Sequence, residues 1–235
     1  GGAGGRAALV AASALLLAAM PARAPAQHLL VPMDGAQSDH LRAYGLVYET
    51  ISSGVPAEWL LNYRDGSFLL PAQRRIAERA ALLGVRVEEL TGTRLARVRA
   101  EIEGANMESV PLEKAPKIAV YTPPNSSPWD DAVTLALEYA GIPYERVWDR
   151  EVLTGRLPDY DWLHLHHEDF TGQYSKFYLN YAGSAWLQDE VRRNESVADE
   201  FGLPDVPALK KAVARQIRAY VEAGGLLFAM CTATE

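Results

Sequence analysis

Between Leu209 and Glu235 the chain carries its strongest structural instruction. Leu209, Val213, Ile217, Tyr220 and Val221 recur at helical spacing and define one apolar face of a long helix. Gly224-Gly225 breaks that helix, and Leu226-Leu227-Phe228-Ala229-Met230 follows as an unbroken apolar run. A short apolar run bounded by a turn is the pattern of a strand buried on both faces, as in a parallel sheet. A helix feeding such a strand is half of a βαβ unit, which narrows the fold to the α/β class. Cys231, the only cysteine in 235 residues, follows directly. A nucleophile held at a sharp turn out of such a strand is pushed out above the sheet, and the turn tolerates only small neighbours two residues either side. Ala229 and Ala233 stand there.

The same grammar runs upstream. His28 to Met33 is an apolar strand, and Leu41, Tyr44, Val47, Tyr48 and Ile51 mark a helix from Gln37 to Ser53. Ala57 to Tyr63 is a second strand, and Pro71 is expected to open a helix that runs to Leu83 before Gly84. Val85 to Leu90 makes a third strand and Thr93 to Glu103 a further helix, while the polar, proline-containing stretch from Gly104 to Pro116 is expected to be a connector. Lys117 to Tyr121 starts a fresh unit. Ser127 is the expected N-cap of its helix, with Pro128 at the first helical position and Asp130 as a capping-box acid. Val133, Ala136, Leu137 and Ala140 form its buried stripe, and Gly141 stops it. Strands follow at Tyr144–Trp148 and Trp162–His166. The expected architecture is a three-layer α/β sandwich with a mostly parallel sheet. An N-terminal α/β unit occupies 27–115, and a second domain occupies 116–235, its sheet expected to continue past the last residue.

Residues 1–26 have the pattern of an export signal. Arg6 is followed by an apolar run from Ala7 to Met20, too short to span a bilayer comfortably, and Ala24-Pro25-Ala26 fits a small-x-small cleavage site. Cleavage would leave Gln27 first and no stable membrane span, and would place the protein in a periplasmic or extracellular space. A transmembrane anchor or a disordered leader is the alternative. The net charge of -7 argues against nucleic acid as the partner. A single cysteine excludes an internal disulfide framework and a cysteine-rich metal site.

The second half resembles the class I glutamine amidotransferase-like superfamily, a flavodoxin-like fold. The strand KIAVY, the capped helix after it and the segment AYVEAGGLLFAMCTATE carry the likeness. In that superfamily a Gly-rich turn, an apolar strand and Gly-x-Cys-x-Gly follow a helix; here Ala229 and Ala233 replace the glycines. The resemblance covers Lys117 to Glu235 and implies Cys231 as nucleophile, with the family's His and Glu partners after the elbow, beyond residue 235. The family's oxyanion-hole Gly-Gly is not evident. The phrases LLVPMDGAQSDHLRAYGL and HLHHEDFTGQYSKFY are also similar to exported bacterial proteins often labelled asparagine synthetase B. The residues do not support that chemistry: neither a cysteine at a processed N-terminus nor a Ser-Gly-Gly-x-Asp-Ser phosphate loop is present.

Three sites compete for function. Cys231 is either a thiolate nucleophile, activated by a helix N-terminus and a nearby His, or a structural cysteine. The cluster His164-Leu165-His166-His167-Glu168-Asp169 falls at the carboxyl end of a strand, where open parallel sheets bind ligands. Strand alternation puts His164 and His166 on one face. His166, His167, Glu168 and Asp169, with Gln173, are candidates for the substrate pocket. His164, His166, His167 and Glu168 are candidates for a divalent metal, zinc or iron. Asp169 could instead only cap the next element. The aromatic stretch from Phe170 to Trp186 fits a packed helix better than a sugar- or peptide-binding loop, and Asp34 to His40 has the pattern of an ordinary N-cap loop. The leading expectation is an exported cysteine-dependent amidohydrolase or amidotransferase-like enzyme acting on a small-molecule amide. The alternatives are a non-catalytic, carbohydrate-related binding domain of the same fold and a metal-dependent enzyme.

Overall fold

A computed structural model describes residues 27–166, 170 and 181–234, so the signal segment 1–26 lies outside the described residues. Two sheets divide the chain. The first contains β1 (His28–Val31), β2 (Ala57–Leu61), β3 (Phe68–Pro71), β4 (Glu88–Leu90) and β5 (Glu108–Leu112) in the order β4-β1-β3-β2-β5. Helices α1 (His40–Ser52) and α2 (Arg74–Leu83) cover one face, and α3 (Gly92–Gly104) covers the other. Strand alternation sorts the core: Leu29, Val31, Phe68 and Leu70 meet Leu46, Val47, Ile76 and Ala80, while Leu30, Leu60, Leu69 and Leu90 meet Val98 and Ile102.

Every pair in this sheet is antiparallel, which corrects the expectation of a mostly parallel arrangement in the first half. The cause is a tight turn between β2 and β3. Asn62, Arg64, Asp65 and Gly66 all have positive φ, and a connection this short can only reverse the chain, whereas a parallel return needs a crossover of a dozen residues or more. Pro71 ends β3 opposite His28, and the next helix starts at Arg74. The stretch read as a connector contains β5, an edge strand paired only with β2, where Pro111 is tolerated because its missing N–H need not serve a second neighbour.

The second sheet is parallel throughout. It contains β6 (Ile118–Tyr121), β7 (Glu145–Val147), β8 (Trp162–Leu165) and β9 (Leu226–Ala229) in the order β7-β6-β8-β9. Among the described residues its helices are α4 (Ala132–Ala140), α5 (Asp149–Leu153), α6 (Ala185–Glu200) and α7 (Val206–Glu222). Ala119, Tyr121, Val147, Leu163 and Leu165 pack on one face against α5, α6 and α7. Ile118 and Val120 pack on the other against Leu137 of α4, with Tyr48 of α1 alongside.

α4 ends at Gly141, whose φ of 71° is left-handed, as its sequence position requires. Its start differs from expectation. Pro128–Asp130 forms a separate 3-10 turn and the N-cap is Asp131, whose carboxylate accepts from the amides of Val133 and Thr134. β9 differs too: Leu226 and Phe228 are 61% and 51% exposed, because no described element covers that face as α4 covers β6. Among the described residues no helix is long and apolar enough to cross a membrane.

Candidate active site at the carboxyl ends of the parallel strands

The second sheet grows outward in both directions from β6 and β8. β7 is added beside β6, and β9 beside β8. Such a reversal opens a crevice beyond the carboxyl ends of the two central strands. Asp131 enters it from the N-cap of α4, and His166 is the first residue after β8. His166 Nδ1 lies 2.9 Å from Asp131 Oδ2, with side chains 11% and 9% exposed.

The Asp131 carboxylate also accepts from the Val133 amide at 2.6 Å and the Thr134 amide at 3.2 Å. Burial pushes this carboxyl up, but the bond from His166 and the two amide bonds outweigh it, so Asp131 is held below the ordinary carboxylate range. An ionised carboxylate can only accept. Nδ1 of His166 therefore carries the proton, and in the neutral ring Nε2 is the acceptor nitrogen. That is the tautomer a general base needs.

His164 shares the face of His166, as strand alternation predicts, with ring centroids 6.0 Å apart. It is 1% exposed, stacks on Phe228 at 5.6 Å, and neither ring nitrogen has a partner among the described residues. Burial pushes its pKa down more than the nearby Asp131 charge raises it, which keeps the ring neutral at pH 7.

Cys231 stands on the neighbouring strand end, exposed, with φ of 55°. Left-handed backbone costs a residue with a Cβ about 1–2 kcal/mol, so the turn has to be held by its surroundings. Two backbone bonds to the end of β8 do so: the Met230 amide donates to the Leu165 carbonyl at 3.0 Å, and the Ala233 amide donates to the His166 carbonyl at 3.4 Å. Ala229 and Ala233 pack against the core beneath. The two strand ends that carry Cys231 and His166 are thus stitched together on either side of the cysteine.

Sequence reasoning picked out Cys231 and His166 and missed Asp131. Its signal was present as the doubled acid Asp130-Asp131, but the acid 35 residues from His166 could be placed only once the strands were ordered. The candidates His167, Glu168, Asp169 and Gln173 lie outside the described residues. For the metal reading of His164 and His166, no group of three or more His, Cys, Asp or Glu side chains able to hold an ion occurs among the described residues. The Asp34–His40 loop is the ordinary capping loop expected, with the Asp39 carboxylate accepting from the Arg42 amide at 3.0 Å.

A second polar group at the same end of the sheet left no signal in the sequence. Lys210 of α7, 5% exposed at its side chain, places Nζ 2.7 Å from Oδ2 of the fully buried Asp149 and 4.3 Å from the Trp148 ring centroid. The Tyr121 hydroxyl donates to the other oxygen of Asp149. At the opposite end of the sheet a cavity of about 410 Å³ opens beside Tyr160, Asp161, Tyr220 and Gly225, remote from Cys231. Comparisons with family models, curated proteins and solved structures returned no match.

Proposed function

We propose that the protein is an exported cysteine-dependent hydrolase or amidotransferase-like enzyme acting on a small amide, with Cys231 as nucleophile, His166 as base and Asp131 as the group that orients His166. The observation that carries this reading is the Asp131–His166 pair at the end of β8, beside the left-handed Cys231 two residues past the end of β9. The glutamine amidotransferase likeness implies a base beyond residue 235; His166 offers one within the chain. The strand order also supports a flavodoxin-like reading. Numbered along the chain, the four strands run second, first, third, fourth, as in the first four strands of a flavodoxin-like sheet.

In the proposed reaction Nε2 of His166 takes the thiol proton and the thiolate attacks the amide carbon. The imidazolium returns that proton to the leaving nitrogen, so ammonia departs and a thioester remains on Cys231. Water, deprotonated by the same nitrogen, then releases the carboxylic acid and restores the thiol. Asp131 holds the ring in one tautomer and stabilises the imidazolium without itself taking the proton.

The test is ammonia release from a panel of small primary amides, using the protein as exported. Activity should vanish in Cys231→Ser and fall by about 10²–10⁴-fold in His166→Asn, the usual contribution of a general base. Ammonia release untouched by Cys231→Ser would refute the assignment and favour a different centre.

A further inference from the structure

Asp131 sits at the amino end of α4, and the carboxyl end of the same helix is gripped by the first unit. Gly45, in the interior of α1, lies against the main chain of Ala140. A Cβ at Gly45 would stand 1.8 Å from the Ala140 carbonyl oxygen and 2.9 Å from the carbonyl carbon. Glycine is among the poorest helix formers, so its place there is explained by the close approach it permits. Beside it the Tyr139 hydroxyl donates to Asp39 Oδ2 at 2.5 Å, and the Arg42 guanidinium lies 4.8 Å from the Tyr139 ring centroid. Tyr48 of α1 adds a bond to the Pro116 carbonyl at 2.8 Å, just before β6.

We infer that the first unit is a positioning element of the candidate site: α1, through Gly45 and Tyr139, sets the place of α4 and hence of the Asp131 carboxylate against His166. α4 is a single helix about 13 Å long, stiff over that length, so a displacement at Ala140 is passed on to its N-cap. The tolerance is small. The Asp131–His166 contact of 2.9 Å is lost beyond roughly 3.5 Å. A methyl at Gly45 needs about 3.3 Å from the carbonyl oxygen where 1.8 Å is available, so the helices must part by roughly 1.5 Å. Even if α1 takes half of that movement, the remainder exceeds the slack. Gly45 and Tyr139 touch no reacting atom; they act through α4.

The test uses Gly45→Ala and the milder Tyr139→Phe in the full chain, with Ile76→Val as a control that loosens the first core away from α4. The first readout is the NMR signal of the His166 Nδ1 proton, which reports its bond to Asp131 whether or not the protein is an enzyme. The second is the rate of Cys231 alkylation at pH 7, which rests on the function proposed above. Gly45→Ala should shift the proton signal and slow alkylation by about 10-fold or more, since a misplacement near 1 Å can cost up to about 10²-fold. Tyr139→Phe should move both in the same direction by less, and Ile76→Val should move neither. If Gly45→Ala does not fold, Tyr139→Phe decides alone. A folded clamp variant with the parent's His166 signal overturns the inference. A shifted signal with an unreactive parent Cys231 upholds it while removing the proposed chemistry.

Discussion

Replacing Lys210 by Met should cost far more than an ordinary surface charge. The ammonium is held between the Asp149 carboxylate at 2.7 Å, the Tyr121 hydroxyl at 3.3 Å and the face of Trp148, and the carboxylate it serves is fully buried. Methionine fills much of the same volume, so the cavity contribution is small. What remains is a carboxyl group of 0% exposure whose other side-chain bond among the described residues comes from the Tyr121 hydroxyl. Removing one partner of a buried pair typically costs about 3–5 kcal/mol, because the other charge is left uncompensated. At about 2–4 °C per kcal/mol for a chain of this size, the melting temperature should fall by roughly 10 °C. Removing both charges with Lys210→Met/Asp149→Leu should restore a large part of the loss, since apolar replacement of a whole buried pair is often neutral. The assay is a double-mutant cycle by urea denaturation. Single mutants that each cost under about 1 kcal/mol, or losses that simply add, would reduce the pair to a surface-like contact.

Three further outcomes follow from the surroundings of particular residues. The folded pKa of His164 lies below its unfolded value of ~6.5, so the unfolded chain binds the proton more readily. Its contribution is fully present above pH ~6.5 and is lost as pH falls toward the lower folded value; His164→Leu should flatten the stability profile below about pH 6.5, checked by denaturation at each pH. Gly225→Ala puts a Cβ 2.2 Å from the Tyr220 ring, which is tethered by its hydroxyl to the Tyr160 carbonyl, and should cost about 1–3 kcal/mol in a thermal melt. Gly104→Ala, at the end of α3 with open space around it, should be neutral or slightly stabilising in the same melt.

The parallel half was the legible half. Its strands are short apolar runs punctuated by Gly141 and Gly224-Gly225, and those signals are local. The antiparallel half was misread at Phe68–Pro71, where a four-residue strand ending in proline looks like the lead-in to α2, and at Glu108–Leu112, an edge strand only partly buried. Neither carries alternation long enough to exceed noise; pairing partners far away in sequence decide them. The site divides along the same line. Cys231 and His166 could be found because each follows an apolar strand, while Asp131 gains meaning only from a contact across the switch point. Lys210 was illegible because Lys210-Lys211 at the start of an amphipathic helix looks like solvated surface, and only its partner Asp149 makes burial possible.

The role of Cys231 is decided by its rate of iodoacetamide alkylation at pH 7, measured on the native protein against free cysteine. A nucleophilic Cys231 should react at least about 10-fold faster than free cysteine, since the thiolate is the reactive form. His166→Asn and Asp131→Asn should each bring that rate down toward the free value. A rate at or below that of free cysteine, unchanged by His166→Asn, would contradict a nucleophilic role and leave Cys231 as a surface thiol on an α/β scaffold.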